Sequence, residues 1–510
     1  MAALKFLKKW GPQLLLLLVA VAAAGEAIAR PGGGGSFGGG GGGGGSFGGG
    51  GSFGGGGGGG GDGDGLGALI YLLIEYPQVG VPLLVIVIAY RIYMARNTPK
   101  GTVHSGQPVQ ARGASKLQVN NSIEQFKQQD PKFSETIFLD FVQHLYYQYH
   151  HYRGKPDFRN LGPYIAQEVF EREANLSRTD LDVTELVIGS VEITSLSPSP
   201  TFDSITVRIE ANYTETRRRH SNRFWVQDQW IFVRKKGVVS KGPEELEGLH
   251  CPNCGSHLEL NATGACNHCG QVVPPGKQHW MLHRARHLNR QVQKGKQFGT
   301  YEAERGTNLR TILDSRLSSN GSKFMQRHGV ADMGAYFSDM KKSVIAPAFK
   351  AIYESWENQT YDKARPLMSD NLFRSHKYWL DAYKAEGLVN RLKDLSIHDI
   401  ELAKIDLDNY YESFTVRISA SVYDYLENKK GRVIGGSSNQ KRTFTEYWTF
   451  VRRTGVTKAP SEYNTDNCPN CGAPVDMGMT GVCSYCNSKV TTGEFGWILT
   501  RITQDEVYHG

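Results

Sequence analysis

Cysteine is scarce in this 510-residue chain, and none of its eight cysteines stands outside a C-x-x-C pair. That distribution excludes the scattered disulfide framework of small secreted domains. No nucleophile elbow, phosphate loop or H-E-x-x-H segment occurs, so the common motif-borne routes to acyl transfer, phosphoryl transfer and zinc proteolysis have no foothold. No apolar run reaches the ~20 uninterrupted residues of a comfortable transmembrane helix. The formal net charge of +8 is modest for the length and gives a weak pull toward anionic surfaces.

The cysteines that are present repeat. Cys251-Pro-Asn-Cys254 with Cys266-Asn-His-Cys269, and Cys468-Pro-Asn-Cys471 with Cys483-Ser-Tyr-Cys486, both read C-x2-C-x11-C-x2-C. Two such knuckles bring four thiolates into the tetrahedral shell that Zn²⁺ prefers, whereas disulfide selection would not favour the same knuckle spacing four times. The expectation is two Zn²⁺ per chain, one on Cys251, Cys254, Cys266 and Cys269 and one on Cys468, Cys471, Cys483 and Cys486. His257 and His268 fall inside the first set as substitutes for a thiolate. The second set holds no histidine, so four sulfurs is the simpler assignment for both.

The repeat is wider than the cysteines. Trp230-Ile-Phe-Val-Arg234 precedes the first set and Trp448-Thr-Phe-Val-Arg452 the second; Trp280-Met-Leu-His-Arg284 and Trp497-Ile-Leu-Thr-Arg501 follow, each tryptophan eleven positions after the last cysteine. Thr206-Val-Arg-Ile209 matches Thr415-Val-Arg-Ile418 further upstream. This self-similarity reads as one domain duplicated, with a zinc ribbon in the place of a hairpin loop, where the metal supplies folding energy. Helical spacing covers 133–152, through Phe138, Phe141, Val142, Leu145, Tyr146 and Tyr149, and a second helix covers 161–173. Alternation predicts strands at 186–196, 204–213 and 223–234, and again at 395–406, 413–425 and 443–453 after helices marked by Ala348, Ile352, Trp356 and Leu367. The fold class is therefore α+β, with domains at 131–287 and 341–505, ribbons at 251–270 and 468–487, and a connector at 288–340. The basic stretch at the start of the polar region between the repeats, with His287, Arg290, Lys294 and Lys296, reads as an exposed helix.

The N-terminal part is of another kind. Lys5, Lys8 and Lys9, an apolar run from Leu14 to Ala24, and Ala27-Ile-Ala29 have the layout of a signal peptide over 1–29. Residues 32–67 contain 27 of the 60 glycines, which reads as a disordered spacer over 30–65. The apolar stretch 66–95, broken by Glu75 and Pro77, reads as a thin membrane segment, with 96–130 as a polar linker. Lysines before the first apolar run and arginines after the second place the glycine spacer outside and the globular part in the cytosol, where zinc-binding thiolates survive.

Helices followed by an antiparallel sheet that ends W-x-F-V-R and W-x-L-x-R form a pattern that resembles the domain named for subunit 44 of the mitochondrial inner-membrane translocase, found also in bacterial membrane proteins. Glu446-Tyr-Trp448-Thr-Phe-Val-Arg452 with Trp497-Ile-Leu-Thr-Arg-Ile502 carries it best; Asp228-Gln-Trp230-Ile-Phe-Val-Arg234 with Trp280-Met-Leu-His-Arg284 is a poorer copy. The resemblance implies cones of helices on a curved sheet, in the nuclear-transport-factor-like class, at a bacterial inner membrane. It also implies association with acidic lipid and scaffolding of protein-transport machinery. The inserted ribbons and the duplication depart from the family pattern.

Three functional classes follow. The first is a membrane-anchored scaffold that docks membrane lipid or a protein partner, with homo-oligomerisation open. The second is nucleic-acid binding through the ribbons, disfavoured because 251–270 and 468–486 contain no lysine or arginine to meet phosphates. The third is an enzyme in the cone pocket. Its one visible pair, Asp140 and His144, has the i, i+4 spacing of surface pairs, and a closed four-cysteine shell leaves no open coordination position. The expectation is a non-enzymatic protein with no catalytic residues.

Overall fold

The computed structural model describes residues 109–174, 180–218, 220–243, 280–293, 309–462, 467–475 and 481–505, with Pro31, His268, Thr307, Met477, Tyr508 and Gly510 as isolated positions. The expected signal peptide, the expected spacer apart from Pro31, the expected membrane segment and the cysteines of the expected first ribbon lie outside the described residues. From Gln110 onward, and with Pro31, the described residues belong to one compact unit. No helix among them is long and apolar enough to cross a membrane.

Two modules make up this unit. The first runs α1 (Val109–Gln129), α2 (Glu135–Tyr152), a 3₁₀ turn (Pro156–Tyr164) and α3 (Gln167–Ala174). Strands β1 (Leu181–Pro198), β2 (Phe202–Arg217), β3 (His220–Lys235) and β4 (Met281–Gln293) then form an antiparallel sheet in that order. The second runs α4 (Leu317–His328), α5 (Met333–Met340), a π turn (Lys341–Ile345), α6 (Ala346–Glu357), a 3₁₀ turn (Tyr361–Leu367) and α7 (Asp370–Glu386). Its sheet has the order β5 (Leu388–Leu407), β6 (Tyr411–Asn428), β8 (Arg442–Arg453), β9 (Ile498–Gln504), with β7 (Val433–Gly436) as a short addition to β6. The first strand of each sheet carries three register shifts, which bend the sheet around the helices it faces. After each 3₁₀ turn the chain touches the last strand in parallel, Ile165 on Leu282 and Met368 on Leu499. These two bridges align the modules residue by residue.

Local chemistry explains the elements. Ser134 caps α2 by accepting the Ile137 N–H at 3.3 Å, and Phe138, Phe141, Val142, Leu145, Tyr146 and Tyr149 then fall on its buried face. The helix expected over 161–173 is split, because Pro163 cannot continue an α-helix and leaves a 3₁₀ turn before α3. The expected linker 96–130 is helical from Val109, and its Ile123 and Phe126 enter the first core. The expected connector is divided too. Its basic start is not helical but forms β4, where Arg290 reaches Glu215 at 2.8 Å across the sheet. Its end forms α4 and α5, whose Phe324 and Met340 join the second core.

One arrangement occurs in both modules. Arg234, at the end of β3, lies 4.6 Å over the Trp280 ring and 5.3 Å over Phe126, and pairs with Asp130 at 2.7 Å and Asp203 at 3.4 Å. Arg452, at the end of β8, lies 4.6 Å over Trp497 and 5.4 Å over Phe324, and pairs with Glu412 at 3.0 Å. Each arginine is buried between the N-terminal helix of its module and the tryptophan that resumes the sheet after the cysteine insertion. Removing Arg452 leaves the fully buried Glu412 with only the partly exposed Arg327 and His328. Breaking a buried pair of this kind costs about 3–5 kcal/mol. Arg452→Ala is therefore expected to lower the urea midpoint of the full chain sharply, with Arg452→Lys intermediate because the charge stays and the planar stack is lost. Equal midpoints for all three proteins would refute the arrangement.

Candidate metal centre and buried carboxylate chambers

The second insertion, between β8 and β9, brings its four cysteines together. The Sγ atoms of Cys468 and Cys486 are 3.8 Å apart, those of Cys471 and Cys483 are 4.0 Å apart, and all four lie within 4.8 Å of one another as free thiols. Four sulfurs at about 2.3 Å from one ion in tetrahedral array stand about 3.8 Å apart, so the donor set fits Zn²⁺. The residue after each second knuckle cysteine is left-handed, Gly472 at φ 74° and Asn487 at φ 57°, and its N–H returns to the carbonyl of the first cysteine, Cys468 at 2.9 Å and Cys483 at 3.0 Å. Gly255 and Gly270 hold these positions in the first set, whose Cys251, Cys254, Cys266 and Cys269 lie outside the described residues; His268 is exposed.

The thiols are unequal. The Ser488 hydroxyl and N–H, with the Asn470 side chain, hold the Cys486 thiol down at about 6. At Cys471 the Ala473 backbone lowers the thiol while the three neighbouring sulfurs raise it, and it settles at about 11. Like charges this close oppose joint ionisation, and a divalent cation removes the opposition while filling all four positions. The shell is closed, which is the arrangement of a structural rather than a catalytic zinc.

The ribbon is clamped to its module. Arg365 of the 3₁₀ turn, fully buried, donates to the Met368 carbonyl at 2.9 Å and pairs with Asp370, the first residue of α7. Asp370 also accepts a hydrogen bond from the Thr491 hydroxyl at 3.1 Å and stands 2.9 Å from Lys489 Nζ, both from the segment that follows the last cysteine. Gly481, at φ 70°, passes so close that a Cβ there would lie 2.5 Å from the Arg365 guanidinium. Counting from the bridges Ile165–Leu282 and Met368–Leu499, the first module carries Gly162 and Gln167 where the second carries Arg365 and Asp370.

Each module also buries a carboxylate two residues before its motif tryptophan. Asp228 accepts the Tyr146 hydroxyl at 2.8 Å and meets His287 Nδ1 at 2.5 Å. Glu446, fully buried, lies 3.2 Å from the Tyr353 hydroxyl through either oxygen and accepts the Trp448 indole N–H at 2.9 Å. Asp228 pairs across the sheet with His287 and Glu446 with Gln504, so the histidine that closes the first chamber has a glutamine as its counterpart. His150 stacks beside Tyr146 and Tyr213, and burial, with the Arg153 charge second, pushes its pKa well below the ordinary value. In the second module burial pushes His376, bonded to Tyr361, down to about 3. Asp140 is exposed and His144 half-buried, which matches the surface pair their spacing implies. A small hollow lies beside Arg234, lined by Phe133, Phe138, Trp280 and Val239.

The carboxylates and the Arg365–Asp370 clamp were not singled out from the sequence. The acid-x-Trp repetition, Asp228-Gln-Trp230 and Glu446-Tyr-Trp448, is the signal that marks the first of these. Against known proteins, the family model described as Tim44-like domain matches residues 343–462. No curated protein matches the chain. Among solved structures, an Ntf2 like protein involved in plasmid conjugation aligns over 62% of this chain and 91% of that chain at 9% identity and a TM-score of 0.18, too low to bear on the argument.

The purified full chain is expected to carry two zinc equivalents, falling to one in Cys468→Ser. Arg365→Ala should leave the zinc in place while making the ribbon cleavable by protease about tenfold faster; unchanged cleavage would remove the clamp. The buried neutral histidines set a pH dependence. Their folded values lie below the unfolded value of about 6.5, so stability is full above that pH and falls as pH drops toward about 3 for His376, by about 1.4 kcal/mol per unit for each histidine. Thermal melts between about pH 7.5 and 4.5 should show a shallower acid slope in His376→Gln.

Proposed function

We propose that the chain is a non-enzymatic, membrane-associated scaffold built from two copies of one domain, each with a zinc ribbon between its last two strands. It docks a protein partner or lipid at a membrane face, in the service of protein transport. The match of residues 343–462 to a Tim44-like domain carries this reading. Closed sulfur coordination fits an accessory that stiffens a docking surface rather than one that does chemistry. For the lipid arm, β4 supports a contact with an anionic surface: His283, Arg284, Arg286 and Arg290 are exposed along it, together with the apolar Leu288 and Val292.

Flotation of the full chain with vesicles of phosphatidylcholine, with and without about 30% anionic lipid, tests this surface. We expect about tenfold stronger capture by the anionic vesicles, weakened by salt and lost in the Arg284→Glu, Arg286→Glu double variant. Capture indifferent to lipid charge would remove the lipid arm and leave protein docking.

A further inference from the structure

Pro31 stands 322 positions before Tyr353, yet it is buried, and its carbonyl accepts the Tyr353 hydroxyl at 3.1 Å. The same hydroxyl faces Glu446 at 3.2 Å, so it lies between the second chamber's carboxylate and the backbone of the N-terminal segment. With one hydrogen to give, Tyr353 can serve Glu446 or a peptide carbonyl. Its ring belongs to a buried aromatic group: Phe349 stacked at 4.4 Å, Phe444 at 6.0 Å and Trp448 at 6.5 Å. Aromatic rings around a carbonyl-seeking hydroxyl are the equipment with which proline-containing extended peptides are recognised.

We propose that the second chamber is a peptide-binding site whose occupant is the chain's own segment around Pro31. The segment suits it chemically. Residues 30–37 read Arg-Pro-Gly-Gly-Gly-Gly-Ser-Phe. Proline fits an aromatic surface at low entropic cost, and the glycines let backbone approach closely. The first chamber is built differently. By the same alignment His150 replaces Tyr353 and Tyr146 replaces Phe349, the strand register puts Val226 in place of Phe444, and His287 already occupies the carboxylate. A segment seated this way lies on the same side of a membrane as the second module. That differs from the charge-derived arrangement, with the spacer outside and the cones in the cytosol.

Amide hydrogen exchange on the detergent-solubilised full chain tests the proposal directly. The amides of Gly32 to Gly35 are expected to exchange at least tenfold more slowly than in a synthetic peptide of residues 30–37, and Tyr353→Phe to remove about tenfold of that protection. Val433→Ala, on the exposed β7, should leave it unchanged. A benzophenone side chain in place of Phe349 should cross-link in intact membranes to residues 30–37, and excess synthetic peptide should compete. Exchange of the native segment at the free-peptide rate, or cross-links that map only elsewhere, would overturn the proposal whether or not the Tyr353 variant folds.

Discussion

The constraint on which both modules rest is that an insertion must leave its two supporting strands paired. Between β3 and β4, and again between β8 and β9, the chain departs for a cysteine-bearing excursion and has to return in register. The returning residue is a tryptophan, and the departing strand ends in an arginine that lies 4.6 Å over it in both modules. A guanidinium suits this place because it stacks on an aromatic face while its donors reach carboxylates in the plane. The carboxylate opposite it across the sheet, Asp203 or Glu412, comes from the neighbouring strand. A phenylalanine of the N-terminal helix closes the other side. Strand exit, strand return, neighbouring strand and first helix therefore meet at one side chain.

On this common frame the modules differ in how they satisfy buried polar groups. In the first, Asp228 is met by Tyr146 and His287 from within its own sheet and helix, and nothing further is needed to hold it. In the second, the partner on the last strand is Gln504, and the helix contributes a tyrosine rather than a histidine at position 353. A carboxylate taken fully from water needs strong compensation, and here the Tyr353 hydroxyl and the Trp448 indole N–H supply part of it. The same divergence appears outside the chamber, where Arg365 and Asp370 bind the second ribbon and Gly162 and Gln167 stand at the matching places in the first.

Periodic and motif-borne features were legible in the sequence. The strands with alternating apolar residues, the helix whose face includes Phe138 and Tyr149, and the placement of the insertion between paired strands all follow from spacing. The four sulfurs of the second ribbon follow from knuckle geometry. What escaped was set by tertiary partners. Residues 109–129 are too polar to announce a helix, and it is held by Ile123 and Phe126 in the core and by Glu124 and Gln129 bonding to Arg316 and Lys236. The basic stretch around His287 and Arg290 has no strand alternation of its own; it is a strand because Asp228 and Glu215 wait across the sheet. Arg365 reads as one cation in a polar turn until Gly481 and Asp370 arrive from 116 and 5 positions further on. Tyr353 and Pro31 could not be joined by any local rule.

The clamp gives the cysteine insertion a reach beyond its own loop. Asp370 begins α7, and further along that helix Tyr378 and Trp379 receive Arg223 of the first module at 4.9 and 5.6 Å, while Asn371 accepts Tyr147 at 3.2 Å. The helix is thus held at its start by the ribbon and along its length by the neighbouring sheet. Metal binding energy in a small ribbon is folding energy, and here the folded ribbon supplies Lys489 and Thr491 to fix the first turn of α7. Ordering that turn limits the freedom of the residues next to it, Asn371 and the helix beyond, which form one of the contacts between the modules, beside Ser134–Asp408 and Glu124–Arg316. An unfolded insertion would take Lys489 and Thr491 away from Asp370 and leave it with Arg365, and the loosened turn belongs to a helix in contact with the first module. The cysteine-bearing insertion is in this sense part of the joint, and its position between two strands puts it where it can act as one.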